Sequence, residues 1–308
     1  MKPLLLESYT YNTIWAGHHL KDFRHLSEQI GTSFEVSAHK KGSTRLLNVE
    51  GQPLFLDFLK GKEEDLLGPG LTDHDMLRTC FLDTSDVLSV QVHPGDDYKG
   101  LVDDYGKDES WYIVEADEHA FLYAGATTDD IDVLKEAVKK GTIKNYMKKW
   151  PVKAGDYIDI KHGTLHALGA HILAYEMGTN SDTTYRFYDW DRADAQGHKR
   201  PLHIKESFDV LDVSEEPHFV KAKKESHRLS AMARYCVDEL YIDTPTKLTC
   251  GTSYMILTNI EKEPLDILWQ DKTIRLPGYK AMFVPYSAKE ITCQKAHLLI
   301  SRPGKERL

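Results

Sequence analysis

Long apolar runs are missing from this chain. Its start, Met1 to Leu6, offers a lysine and three consecutive leucines before Glu7, too short for a signal-peptide apolar region or a membrane span, so a cytoplasmic location is expected. An excess of positive charge is missing as well. With 39 Lys and Arg against 48 Asp and Glu the formal net charge is -9, and the basic residues are scattered rather than blocked. No electrostatic footprint for a polyanion such as DNA results, which excludes nucleic acid as the expected partner. Cysteine is scarce: Cys80, Cys236, Cys250 and Cys293 are far apart and none forms a Cys-x-x-Cys pair. Neither a disulfide framework nor a thiolate metal site is indicated, and all four are read as buried, reduced thiols.

What is present is enough apolar material, 41% of 308 residues, for a sizeable core in one large domain or two smaller ones. From about residue 30 the texture is short alternating or apolar runs broken by Gly, Pro, Asp and Asn, the pattern of a sandwich or barrel. Strands are predicted over Ser33 to Ala38, Val87 to His93, Trp111 to Val114, Tyr157 to Ile160, Ile172 to Met177 and Thr183 to Trp190. A helix is predicted near 129 to 140, where Ile131, Leu134 and Val138 share a face, Asp129 and Asp130 open it, and Lys139 and Lys140 precede Gly141. It reads as a helical insertion near 129–150 between strands. A second helical stretch, His203 to Val210, leads into a linker at Glu215-Glu216-Pro217, beyond which Tyr254 to Thr258, Leu265 to Trp269, Thr273 to Leu276, Ala281 to Val284 and His297 to Ser301 read as further strands. The expected division is 1–215 and 216–308, two β units without a residue-level repeat.

Within the predicted strand from Val87 to His93, alternation puts Val87, Ser89, Gln91 and His93 on one face and Leu88, Val90 and Val92 on the other. A polar face inside an apolar strand suggests a ligand cavity. Glu109 opens Glu-Ser-Trp-Tyr-Ile-Val, another strand, with Trp111 and Ile113 on the same face. The run from Gly155 to His166 supplies a glycine turn, a strand, a second glycine turn at Gly163 and a histidine three residues later. Gln91, His93, Glu109 and His166 offer two nitrogens and two oxygens, a set suited to divalent zinc with a position left for water or substrate.

These motifs resemble the cupin signatures. More specifically, Leu88-Ser-Val-Gln-Val-His-Pro94, Gly106-Lys-Asp-Glu-Ser-Trp-Tyr112, Gly163-Thr-Leu-His-Ala167 and Ser181-Asp-Thr-Thr-Tyr-Arg-Phe-Tyr-Asp-Trp190 resemble the type I mannose-6-phosphate isomerases in their short bacterial form. Weaker similarity at Trp15-Ala-Gly17, Phe34-Glu-Val-Ser37 and Arg200-Pro-Leu-His203 extends the match over about the first two thirds of the chain. The resemblance implies a mainly β fold of two cupin-like jelly-roll barrels, the first binding one zinc ion per chain through Gln91, His93, Glu109 and His166, the second metal-free. It also implies interconversion of mannose 6-phosphate and fructose 6-phosphate, a small-molecule sugar-phosphate partner, and a monomer or homodimer. Catalytic candidates are Arg186, Glu176 and Lys107; substrate-binding candidates are Trp15, Ser89, Lys107, Lys161 and Arg186.

The chemistry agrees with that implication. Aldose–ketose interconversion moves a proton between adjacent carbons through an enediol while charge develops on oxygen, so a divalent cation and a guanidinium beside the reacting oxygens would stabilise it. Lys107 and Arg186 are candidates for the phosphate, and Glu176 either relays the proton or orients Arg186. Departures from the family pattern surround the expected pocket. Thr32 stands where a carboxylate is usual, Cys80 where a lysine is usual, Lys161-His162 where Pro-Ala is usual, and Gly178 where glutamine is usual. Lys161 is either a replacement for the missing charge or simply solvated. The alternatives are an isomerase of another sugar phosphate, a non-catalytic sugar-binding metal cupin, and redox chemistry on the same scaffold.

Overall fold

The structure, a computed structural model, describes residues 1–194 and 196–304. It is mainly β, with every strand pairing among the described residues antiparallel. Four sheets carry the fold. A seven-stranded site sheet runs in the order His218–Val220, Tyr157–Ile160, Glu109–Ala116, Ile172–Thr179, Leu77–Thr84, Thr32–Val36, Tyr9–Tyr11. A five-stranded cover sheet runs Tyr185–Tyr188, Val90–Val92, His166–Ala167, Phe121–Ala126, Met147–Pro151. The other two are a second seven-stranded sheet, built mostly from the C-terminal third, and a four-stranded sheet from Thr246–Thr249 to Lys272–Leu276.

Period-two side-chain alternation stacks these sheets into layers. From the site sheet, Trp111, Ile113, Ile158, Ile160, Ile172 and Ala174 pack with Leu122 and Ala124 of the cover sheet. Their neighbours Tyr112, Tyr157, Leu173, Tyr175 and Met177 point the other way, against Tyr235, Val237, Ile256, Phe283 and Leu299 of the C-terminal sheet. Strands such as Ile172–Thr179 are therefore covered on both faces, which is why they read as apolar runs rather than as alternation. A third core joins Met255, Leu257, Met282 and Ile300 to Ile267, Leu276 and Ile291 of the four-stranded sheet.

The outer face of the cover sheet is closed by helices. Asp130 caps Ile131–Lys139, its carboxylate accepting from the backbone N–H of Asp132 and Val133, and the helix buries Leu134 and Ala137 on Val90, Val92 and Phe187. The second helix is Ile204–Val210, with Phe208 in the same cluster. No helix among the described residues is long and apolar enough to cross a membrane.

One departure from the sequence expectations is structural. The strand expected from Val87 to His93 is paired only over Val90–Val92, so strict alternation fails before it: Leu88 joins the inner core, and Val87 packs outside. Sheet pairing also runs across position 215 in both directions. Leu4–Glu7 pairs with Lys280–Val284, Leu4 opposite Phe283, while His218–Val220 pairs with Tyr157–Ile160.

Candidate metal centre and its cavity

The site lies between the site sheet and the cover sheet. Glu109 opens an interior strand of one, His166 lies on a short strand of the other, directly opposite Gln91, and His93 follows the strand of Gln91 by one residue. Directly opposite residues share a face, so Gln91 stands beside His166 on the inner side, and Val90 and Val92 on the outer. Ligand atoms of His93, Glu109 and His166 lie within 4.8 Å of one another, and all three side chains are fully buried.

Each imidazole is oriented by a backbone carbonyl. His93 Nδ1 lies 3.0 Å from the Thr183 oxygen and His166 Nδ1 lies 2.8 Å from the Thr164 oxygen, which fixes the proton on Nδ1. Both Nε2 atoms then present lone pairs inward, each 3.2 Å from a Glu109 oxygen. Burial, reinforced by the ammonium of Lys107, pushes His93 down to about 4, so it is neutral near pH 7. Two lone pairs facing a carboxylate attract nothing unless a cation stands among them. His166 Nε2 and Glu109 Oε1 are in fact buried without a hydrogen-bond partner. Nitrogen, nitrogen and carboxylate oxygen with carbonyl-oriented imidazoles is the donor set and outer support that zinc takes, and Gln91 adds an amide oxygen at the open side.

The cluster borders a cavity of about 130 Å³ lined by Trp15, Gln91, Lys107 and Glu176, among others. Lys107 Nζ is 2.6 Å from Glu109 Oε2 and 3.2 Å from Glu176 Oε1. Burial opposes its charge, but those two carboxylates outweigh burial and hold the ammonium above its ordinary range. Glu109 is held well below its ordinary value, because Lys107 and His93 overcome the cost of burying it. Glu176 moves the other way, raised by burial and by the neighbouring Glu109. Its other oxygen accepts from the Trp111 indole N–H at 3.2 Å. Two carboxylates with opposite shifts on either side of one ammonium provide an ionised ligand and a group able to exchange a proton.

No family model matches the chain. Among curated proteins it is 39% identical over 216 residues to a mannose-6-phosphate isomerase of Streptococcus mutans, an alignment covering 69% of this chain and 68% of that one. It is 35% identical over 220 residues to the mannose-6-phosphate isomerase ManA of Bacillus subtilis, covering 70% of each. The chain belongs to the mannose-6-phosphate isomerase family. The fold agrees: a crystal structure of the Bacillus subtilis mannose 6-phosphate isomerase superimposes with a TM-score of 0.85 and 27% identity, covering 98% of this chain and 99% of that one.

Other residues singled out by the family resemblance separate into two groups. Trp15, Lys107, Glu176 and Gln91 line the cavity, and so do three of the departing positions, Thr32, Cys80 and Gly178. Lys161 does not. It pairs with Glu215 at 2.8 Å and, with His162, lines a separate surface depression, so it replaces no charge in the cavity. Arg186 stands at the margin: its Nε donates to Ser89 Oγ at 3.3 Å and its NH1 to the Pro201 carbonyl at 2.9 Å, while Thr184, two residues earlier, lines the cavity. The expectation that Glu176 orients Arg186 is corrected, since the partners of Glu176 are Lys107 and Trp111. Arg78 was missed as a cavity group, and Trp111 as the donor that holds Glu176. Arg78 precedes Cys80 by two on one strand, so period-two alternation alone carried the signal.

Proposed function

We propose that the chain is a zinc-dependent aldose–ketose isomerase that interconverts mannose 6-phosphate and fructose 6-phosphate through an enediol, with one zinc ion held by Gln91, His93, Glu109 and His166. The observation that carries this reading is the pair of carbonyl-oriented imidazoles whose Nε2 atoms converge on the Glu109 carboxylate beside a cavity containing Lys107 and Glu176. Zinc, when bound, supplies Lewis-acid stabilisation of negative charge on the substrate oxygens.

The chain's own groups handle the proton and the orientation. Glu176 accepts the proton from C2; the electron pair of the broken C–H bond becomes the C1–C2 double bond as the C1 carbonyl pair moves onto O1, a proton passes from the O2 hydroxyl to O1, and as the C2–O2 carbonyl forms the C1–C2 double-bond pair takes the proton back from the same carboxyl at C1. Its raised affinity for a proton suits a group that must both take and give one. Lys107 keeps Glu109 ionised and faces the oxygens on which charge develops. Trp111 fixes the carboxyl through its indole N–H, and Trp15 walls the cavity from water. Arg186, bonded to Ser89, adds a guanidinium at the margin. The architecture belonging to this reading is a pair of cupin-type jelly rolls, the catalytic one within 1–215 and a metal-free one within 216–308, acting in the cytoplasm on a soluble sugar phosphate.

A coupled assay for fructose 6-phosphate formed from mannose 6-phosphate, run with zinc and with chelator, tests the reading. Turnover that chelator abolishes and zinc restores is expected, together with loss of turnover and retention of zinc in Glu176→Gln. Because Thr32, Cys80 and Gly178 alter the cavity wall, a panel of other sugar phosphates belongs in the same experiment. Preference for another member of the panel would reassign the substrate, and turnover indifferent to chelator would refute the metal's role.

A further inference from the structure

A sugar phosphate needs a cation for its phosphate, and the cavity has two. Lys107 is engaged by Glu109 and Glu176, one of them a metal-ligand candidate and the other the proton-transfer candidate. Arg78 is the second, and it is 6% exposed. Its guanidinium stacks 3.8 Å from the Phe34 ring centre and donates to Ser37 Oγ at 3.2 Å, to the Ser181 carbonyl at 3.3 Å, to the Lys41 carbonyl and to Asp182 Oδ1 at 2.6 Å, the last being the one anionic acceptor and the contact a phosphate would displace. Asp182 is itself shared with Lys41 Nζ at 3.4 Å, so two cations meet one carboxylate that is a third exposed. The neighbouring Asp104 is occupied by His39 and Thr183.

Register supplies the geometry. Gly178 pairs directly with Arg78 on one side and with Glu109 on the other, so the three positions form one row across adjacent strands and face the same way. Two strand spacings separate the ends of the row by about 10 Å. The middle position has no side chain, and a Cβ there would stand 2.9 Å from the Asp108 carbonyl oxygen. The row is thus a trough with the metal-ligand carboxylate at one end and a rigid, preoriented guanidinium at the other. It is open because glycine stands at 178, and it carries its positive charge at 78, two residues along the same strand face from Cys80.

We infer that Arg78 is the phosphate-anchoring residue of this cavity, taking the substrate's phosphate at the far end of the Glu109–Gly178–Arg78 row. The assignment rests on the sugar-phosphate reading of the site and specifies it. Fork-shaped donors fit phosphate oxygens bidentately, and losing a charge-assisted contact of this kind costs about ten- to a hundredfold in affinity. Arg78→Ala is therefore expected to raise KM for the sugar phosphate by about that factor with a smaller change in kcat and unchanged zinc content. Competitive inhibition by inorganic phosphate should weaken in parallel. Since Arg78 also packs on Phe34, Arg78→Lys, which keeps charge and loses the fork, is measured alongside and should weaken phosphate binding too. Asp182→Asn removes the competing carboxylate and should tighten phosphate binding. Binding of inorganic phosphate is read by calorimetry independently of turnover. If mannose 6-phosphate is not a substrate but phosphate binding still depends on Arg78, the substrate reading fails and this assignment stands. Phosphate affinity unchanged in Arg78→Lys and Asp182→Asn, or no phosphate binding by the unaltered protein, would overturn it.

Discussion

Zinc should stabilise this protein measurably, and the size of the effect follows from the atoms it would satisfy. Without a cation, His166 Nε2 and Glu109 Oε1 are buried and unpartnered, and such groups cost about 1–3 kcal/mol each. A metal that binds only the folded chain adds about 4 kcal/mol at a thousandfold excess over its Kd, which in a large domain corresponds to a rise of roughly 10 °C in melting temperature. The perturbation is to strip metal with chelator, then restore zinc, and to follow melting by calorimetry with metal content measured on the same samples. His166→Ala is the control: it removes one donor from the centre while leaving the apolar layers of Trp111, Ile158 and Leu122 in place, so it should fold but lose the response. A wild-type melting temperature that ignores both chelator and zinc would refute the argument from unsatisfied atoms. So would a His166→Ala variant that retains the full zinc shift.

Two further outcomes are expected. Arg186→Ala should lose on the order of a hundredfold in turnover while keeping its zinc and nearly its melting temperature, and Arg186→Lys should be impaired too, because a point charge cannot reproduce the bonds to Ser89 Oγ and the Pro201 carbonyl together; normal turnover in either variant would reduce Arg186 to a packing residue. His297 offers a pH test remote from the metal centre. Its two ring nitrogens lie 2.6 Å from Glu261 and 2.8 Å from Glu239, with Tyr241 stacked on it, Tyr112 also on Glu239, and His227 at 3.8 Å. Burial works against its charge, but the carboxylates prevail and raise it. A raised histidine contributes stability that is present in full below about pH 6.5 and is lost as pH rises through the folded-state value, with a slope of at most about 1.4 kcal/mol per pH unit. His297→Gln should flatten that stretch of the unfolding curve, and an unchanged slope between wild type and variant would dismiss the pair as a contributor.

The candidate metal centre was legible because its signal is local in type and joint in pattern: Gln-x-His, a glutamate opening a strand, and a histidine after a glycine turn each say little, yet ligand atoms of His93, Glu109 and His166 lie within 4.8 Å of one another. Strands away from the ligand candidates were legible from local texture, with Tyr157–Ile160 and Leu265–Trp269 bounded as expected. What stayed hidden depends on register between distant segments. Nothing in Arg78, Gly178 and Glu109 taken singly says that they form one row, and nothing in Leu4 announces Phe283 as its neighbour. Lys161 misled because a cation near a motif histidine looks like a site residue, although a turn carries it to Glu215 on the surface.

The alternation of the strand Glu109–Ala116 explains why the C-terminal third matters to a site it does not line. Glu109, Trp111 and Ile113 face the cavity side, whereas Ser110 and Tyr112 face the C-terminal sheet. Ser110 Oγ lies 2.7 Å from Asp159 Oδ1 and 2.6 Å from the Tyr235 hydroxyl, and Tyr112 donates to Glu239 at 2.6 Å. Asp159 also accepts from Tyr157 and Ser230. These are buried polar bonds, which resist sliding far more than apolar contacts because a shifted donor is left unpaired. A one-residue slip would send Glu109 and Glu176's partner Trp111 to the wrong face. The hydroxyl network on the far side of the strand therefore fixes the register that delivers Glu109 to His93 and His166, so the metal-side geometry is set in part by Tyr235 and Glu239 of the C-terminal sheet.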